Sequence, residues 1–179
     1  MGRRRASRRT EEALDIRFDW LDDETRIDDA ARMFAAEVGP SYISHSELQS
    51  GRALSPSEWA PDLAVVLREE IAGLVPRDRN SGARVACGFL GSDIVAVAIV
   101  SWELTARIPF VVLEDIVVDS KLRGRQVGQN FLDWIFGQAR AHGVKRCFLE
   151  SGKDNHDAHH FFARNGFAQV SIVMMSDLA

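Results

Sequence analysis

Leu113-Glu114-Asp115-Ile116-Val117-Val118-Asp119-Ser120-Lys121-Leu122-Arg123-Gly124-Arg125-Gln126-Val127-Gly128 is the stretch on which the reading of this chain turns. Phe110 to Asp119 is rich in Val and Ile and reads as a strand. From Val127 the spacing Val127, Phe131, Ile135, Ala139 is helical, and His142-Gly143 closes that helix. The residues between them form a glycine-containing loop from a strand end to a helix N-terminus. Such a loop aims several unpaired backbone N–H groups at one spot, where the helix dipole favours negative charge and a pyrophosphate fits. Arg123 and Arg125 add charge-assisted contacts. An ordinary strand-to-helix turn also carries two glycines, and the loop has neither the G-x-G-x-x-G pattern nor a Gly-Lys-Ser/Thr end.

On the N-terminal side, Leu14 to Trp20 alternates with period two, as a half-buried strand does. Asp22-Asp23-Glu24 supplies cap and first-turn acids for a helix through Ile27, Ala30, Ala31, Phe34 and Val38, which Gly39-Pro40 ends. Residues 41–56 read as irregular or weakly helical. Ser57-Glu58 opens a second helical pattern, with Leu63, Val66, Leu67 and Ile71 on one face. Pro76 to Gly82 is a turn-rich break. Arg84–Leu90 and Asp93–Glu103 are strands joined at Gly91-Ser92, a hairpin signal. On the C-terminal side follow a strand over Val144–Glu150, a short helix over Asp157–Asn165 closed by Gly166, and a final strand over Phe167–Met175. The order is βαα, then βββ, then αβαβ: a mixed α/β chain rather than a doubly wound repeat.

The 179 residues make one domain, 13–179, behind a basic arm, 1–12, expected to be disordered. Charge is unevenly spread. Residues 1–10 hold five arginines and no acid; residues 13–75 hold 13 acids and five bases; residues 76–179 are nearly balanced, with 11 acids and 12 bases. The longest apolar run, Ile94–Val100, is far short of the roughly 20 residues of a membrane span, and no apolar segment follows the arginines as in a secretory signal. Two cysteines, Cys87 and Cys147, make neither a disulfide framework nor a metal cluster and suit a cytoplasmic protein. Without interleaved aromatics the arginine arm is not read as a nucleic-acid site. No membrane or nucleic-acid partner is expected.

About 30 residues beyond the loop, Asn155-His156-Asp157-Ala158-His159-His160-Phe161-Phe162-Ala163-Arg164-Asn165-Gly166-Phe167 has an N-x-x-A…G-F cadence. With the preceding strand, loop and helix, it resembles the GNAT family of acetyl-coenzyme A dependent N-acetyltransferases over roughly residues 84–175. The family loop is Q/R-x-x-G-x-G/A; Arg123 and Gly128 fit it, and Gln126 replaces its first glycine. R-G-x-x-V-G together with H-D-A-H-x-F looks most like the aminoalkylphosphonate N-acetyltransferase branch. The resemblance implies a mixed, largely antiparallel central sheet, splayed between its fourth and fifth strands and flanked by about four helices. It further implies acetyl-CoA as cosubstrate, a small-molecule amine as acceptor, and a homodimer.

It also implies roles. The pantetheine arm pairs with the backbone of Ile116, Val117 and Val118, where an N–H polarises the thioester carbonyl. The diphosphate sits on Arg123, Gly124, Arg125, Gln126, Val127, Gly128 and Gln129, and Asn155 approaches the pantetheine. If the Gln126 backbone needs positive φ, glutamine is less comfortable there than glycine. A primary amine, with pKa about 10, must lose a proton before attack; Glu114 is the first candidate base and Asp115 the second. The family's usual proton donor to the thiolate falls at Phe162, which cannot donate, so His160 and His159 are the nearest titratable replacements, and Ser151 ends the adjacent strand. The only tyrosine, Tyr42, lies far off in sequence. His156, His159 and His160 share a helix face, but a solvated helix cap accounts for them and no metal is expected. Trp59 is a pocket candidate on the acceptor side. Acetyl transfer, a silent CoA-binding module and a protein N-acetyltransferase all remain open.

Overall fold

The computed structural model describes residues 14–75 and 82–178; the basic arm and most of the turn-rich break lie outside them. Five strands form the central sheet in the order β1 (Ile16–Trp20), β4 (Gly82–Leu90), β5 (Asp93–Glu103), β6 (Phe110–Val118) and β7 (Arg146–Leu149). Each neighbouring pair among the first four is antiparallel, and β7 runs parallel to β6. A two-stranded ribbon, β2 (Ala53–Ser55) with β3 (Glu58–Trp59), stands apart. The sheet is thus mixed and mostly antiparallel, with helices on both faces.

One face is covered by α1 (Ile27–Glu37) and α3 (Leu63–Leu74). Ile27, Ala30, Ala31 and Phe34 recur at helical spacing and bury against Leu63, Leu67 and Ile71, and both sets rest on Val85, Cys87, Val97, Ile99 and Val117. The other face carries α4 (Val127–Ala141) and α5 (His156–Arg164). There Phe131, Leu132 and Ile135 are fully buried over Ala86, Ala96, Ala98 and Val100. Small residues in the sheet make room for large ones: a Cβ on Gly88 would meet the Phe18 ring at 3.0 Å, and Phe18 stacks on Phe131 at 5.1 Å. Each of these large side chains contributes about 1.5–3 kcal/mol through burial.

Local signals explain the element ends. A short helix the periodicity does not reveal, α2 (His45–Ser50), is fixed by a capping box between Ser44 and Glu47 and stopped by Gly51 at φ 77°. At the end of α4, the Val144 N–H donates to the Ala139 carbonyl and the Gly143 N–H to Arg140, with Gly143 at φ 74°.

Two expectations fail. Ser57-Glu58 does not open a helix: Glu58 and Trp59 pair with β2, and α3 starts only at Leu63, after Pro61-Asp62. Phe167–Met175 forms no strand, although its β-branched, alternating composition suits one. Phe167 packs on Phe136 and Phe162, but Val170, Ile172, Val173, Met174 and Met175 are exposed. Strand propensity without a partner to accept its hydrogen bonds does not make a strand.

Candidate active site

The site begins at an irregularity in β6. Ile99 pairs with Asp115 and Val100 with Leu113, so Glu114 is an extra residue bulged out of the ladder. The bulge turns the strand over. Val111 and Leu113 pack with the α4 layer, whereas Val117 packs with the α1 and α3 layer, and Asp115 bonds to Tyr42 and Arg52. Simple alternation would have put Asp115 on the same face as Leu113. Glu114 is left exposed, and Asp115 is only 2% exposed.

Just past the bulge the sheet opens. β6 pairs with β7 only over Phe110–Leu113, so Glu114 to Val118 have no β7 partner. This is the splay between the fourth and fifth strands of the sheet. The segment holding Tyr42 and α2 fastens across its mouth. Tyr42 Oη donates to Asp115 Oδ1 at 3.0 Å and accepts the Ile116 N–H at 3.2 Å. At the end of β7, Glu150 accepts from Ser46 Oγ at 2.6 Å and pairs with His45 Nδ1 at 2.8 Å. Gly152 lies so close to residues 41–43 that a Cβ there would overlap the Ser41 and Ile43 carbonyl oxygens.

A buried charge network supports Tyr42. Arg52 donates from Nη1 to Asp115 Oδ2 at 2.9 Å and from Nε to Glu70 at 2.8 Å, with Glu47 3.9 Å away. Burial raises the Asp115 pKa despite the opposing pull of Arg52 and Tyr42. Burial also works against the Arg52 charge, but the carboxylates of Asp115 and Glu70 more than offset it, and its pKa is raised. The Tyr42 phenol is pushed well above 10.0 by burial and by the Asp115 charge, so it stays protonated at neutral pH. Its ring packs between Phe34 and Trp59, with centroids 6.0 and 6.2 Å away. Sequence reasoning passed over Tyr42 and Arg52, because neither lies near Asp115 in the chain or in any periodic relation to it.

The loop after β6 turns sharply into α4. Asp119 caps a single 3-10 turn, Ser120–Leu122. Gly124 has φ 77° and Gln126 φ 61°, and Gln126 is the one non-glycine residue at positive φ among the described residues. The position does demand the left-handed conformation, and glutamine adopts it under strain. Gln126 is the N-cap of α4, and its side chain makes no capping bond. The N–H groups of the first turn therefore face the loop, beside exposed Arg123 and Arg125. Gly128 faces Val118 and the Phe161 ring, each 3.8 Å from a built Cβ. An open strand edge and an uncapped helix mouth fit a pantetheine arm and a diphosphate, so the chemistry of the donors suits the coenzyme.

The remaining candidates are less tightly gathered. Asn155 caps α5, its Oδ1 accepting the Ala158 N–H at 3.4 Å. His160 and His159 are exposed on α5, and among the described residues no hydrogen bond or ion pair ties either to Glu114 or Asp115. Phe162 is buried against Phe161 and Phe167. Ser151 Oγ is buried without a hydrogen-bond partner. Both thiols are free; burial pushes Cys87 up to about 12 and Cys147 up to about 11, so neither is a nucleophile at neutral pH. Among the described residues no three His, Cys, Asp or Glu side chains gather as a metal-binding set, and no helix is long and apolar enough to cross a membrane.

Solved structures with this fold come from several sources. A transcriptional regulator from Bacillus halodurans C-125 superposes with TM-score 0.66 at 17% identity, over 91% of this chain and 99% of that one. An aminoglycoside acetyltransferase from an uncultured soil metagenomic sample, in complex with sisomicin, gives 0.63 at 16% identity, over 93% and 97%. A ribosomal-protein-alanine N-acetyltransferase from Brucella melitensis biovar Abortus 2308 gives 0.62 at 14% identity, over 91% and 99%. A sequence search of curated proteins finds no match. The family model for the acetyltransferase (GNAT) family matches residues 6–167, which takes in the open strand, the loop and the capped helix described above: the chain belongs to the GNAT acetyltransferase family.

Proposed function

We propose that the protein transfers an acetyl group from acetyl-CoA to the primary amine of a small molecule, by direct attack within a ternary complex. The observation that carries this reading is the open edge of β6 running into a left-handed loop and the uncapped mouth of α4. Ile116, Val117 and Val118 line the pantetheine, residues 123–129 hold the diphosphate, and Asn155 approaches the arm from the end of α5. The thioester supplies an activated acyl carbon. The amine nitrogen forms a bond to it, the carbonyl oxygen takes up negative charge, and the C–S bond then breaks.

Glu114 is the base. It is exposed at the bulge, next to the expected acyl carbon, whereas Asp115 is committed to Arg52 and Tyr42. A direct route is favoured over a covalent enzyme intermediate because both thiols are buried and held protonated. The departing thiolate, with a conjugate pKa about 8.5, tolerates weak assistance. His160, exposed on α5, supplies its proton. Removing that general acid costs about 10²–10⁴ in rate, so a His160 variant turns over slowly rather than not at all.

The acceptor is a cationic or neutral amine. Glu47, Glu70 and Asp115 outnumber Arg52 beside the splay, and a phosphonate would meet that surplus negative charge. The motif cadence alone favours an aminophosphonate acceptor, and it falls on the coenzyme-binding half. Phe162 at the usual acid position supports the second reading, a CoA-binding module without turnover. Calorimetry with acetyl-CoA, followed by thiol release across an amine panel, tests both. Micromolar binding with release for at least one cationic amine is expected; no binding refutes the coenzyme reading, and binding without release selects the silent module. Gly128→Glu puts bulk and charge at the diphosphate and abolishes binding; unchanged affinity in that variant would falsify the assigned loop.

A further inference from the structure

The Ile116 N–H points into the splay, yet it is already used. It donates to Tyr42 Oη at 3.2 Å, and the same phenol donates its proton to Asp115 Oδ1 at 3.0 Å. An amide carries one hydrogen, so it makes one strong hydrogen bond at a time. A thioester carbonyl polarised by that amide must compete with Tyr42 for it. The tyrosine is not loosely placed: Phe34 and Trp59 flank its ring, Gly152 abuts its backbone, and Arg52 holds the far oxygen of Asp115 at 2.9 Å.

We propose that Tyr42 occupies the Ile116 amide while the splay is empty and yields it to the carbonyl of the incoming thioester, so that it sets the preference of the site between thioester and free thiol. The proposal rests on the acetyl-CoA reading of the site. The phenol keeps its proton and its bond to Asp115 throughout, so the exchange moves one hydrogen bond and no charge. Burial and the neighbouring carboxylate both favour the neutral phenol, which agrees with that role. A merely structural tyrosine would stabilise the fold without distinguishing ligands that carry the carbonyl from ligands that lack it.

The test is the ratio of affinities for acetyl-CoA and for CoA, measured by calorimetry in the wild type and in Tyr42→Phe. Removing the competing hydroxyl raises the acetyl-CoA preference about 3- to 10-fold, the worth of one hydrogen bond, with CoA affinity nearly unchanged. An equal change for both ligands, or a falling preference, overturns the proposal while leaving coenzyme binding intact. Wild-type protein that binds neither ligand overturns the coenzyme reading itself and this proposal with it. Should the variant unfold, isoleucine-selective ¹⁵N spectra of the wild type decide. The Ile116 amide resonance moves with both ligands but further with acetyl-CoA, whose carbonyl replaces Tyr42 as its acceptor; equal shifts with both overturn the proposal.

Discussion

Arg52 is the residue with most at stake. It is the cation between Asp115, Glu70 and Glu47, and it opposes the rise that burial imposes on the Asp115 carboxyl next to Tyr42. Removing one partner of a buried pair leaves an uncompensated charge, so Arg52→Met lowers stability by about 3–5 kcal/mol near neutral pH, measured by urea unfolding. The sign with pH follows from Asp115. Burial raises its pKa above 3.8, so its contribution to stability is fully present below that value and is lost as pH rises through the folded pKa. Without Arg52 the raised pKa moves further up. The deficit of Arg52→Met therefore narrows as pH falls and the carboxyl takes a proton; a deficit independent of pH would show that Asp115 does not titrate in this setting. Gln126 was legible at this scale, since the loop pattern placed a residue other than glycine where positive φ is needed. Tyr42 was not, because its partner Ile116 lies 74 positions away.

Among elements, the contact between the end of β7 and the Pro40–Tyr42 turn decides the shape of the splay. Gly152 has no room for a side chain, and the atoms it would strike are backbone oxygens, which cannot rotate aside. Gly152→Ala forces the two segments apart at a cost of about 1–3 kcal/mol and displaces Tyr42 from Ile116. Thermal unfolding and acetyl-CoA calorimetry check this together: lowered stability with altered affinity is expected, and unchanged values in both would mean the segments give way freely. The helices α1, α3, α4 and α5 could be read from periodicity because their apolar stripes face one surface each. The capping box of α2 is local too, but six residues are too few for a stripe. The bulge at Glu114 left no trace in the sequence, since exposure along β6 still alternates and only the destinations of the side chains change.

For the whole molecule, charge and apolar surface are both divided. The acids concentrated in residues 13–75 gather beside the splay through Glu47 and Glu70, while Arg123 and Arg125 sit at the loop on the other side of Ile116. After Gly166 the chain carries no charge until Asp177, and the apolar side chains from Val170 to Met175 face solvent. A chain ending at Gln169 loses few packing contacts, so its Tm changes by under about 2 °C. Its self-association falls, because an uncharged run rich in Val, Ile and Met pairs readily with copies of itself. Light scattering against concentration reads the second effect; a Tm lower by several degrees would show that the segment packs on the domain. By itself the sequence determined the features that are local: helical and alternating periods, caps, the hairpin, and the glycine-containing loop before α4, each written within a few neighbouring residues. Only the tertiary structure decided that Tyr42 meets Ile116 and that Arg52 meets Asp115, 63 positions away. The same holds for the last apolar run, which has strand composition but no strand. Hydrogen bonds and ion pairs across the splay depend on which distant segments are brought together, and that proximity leaves no period in the chain to read.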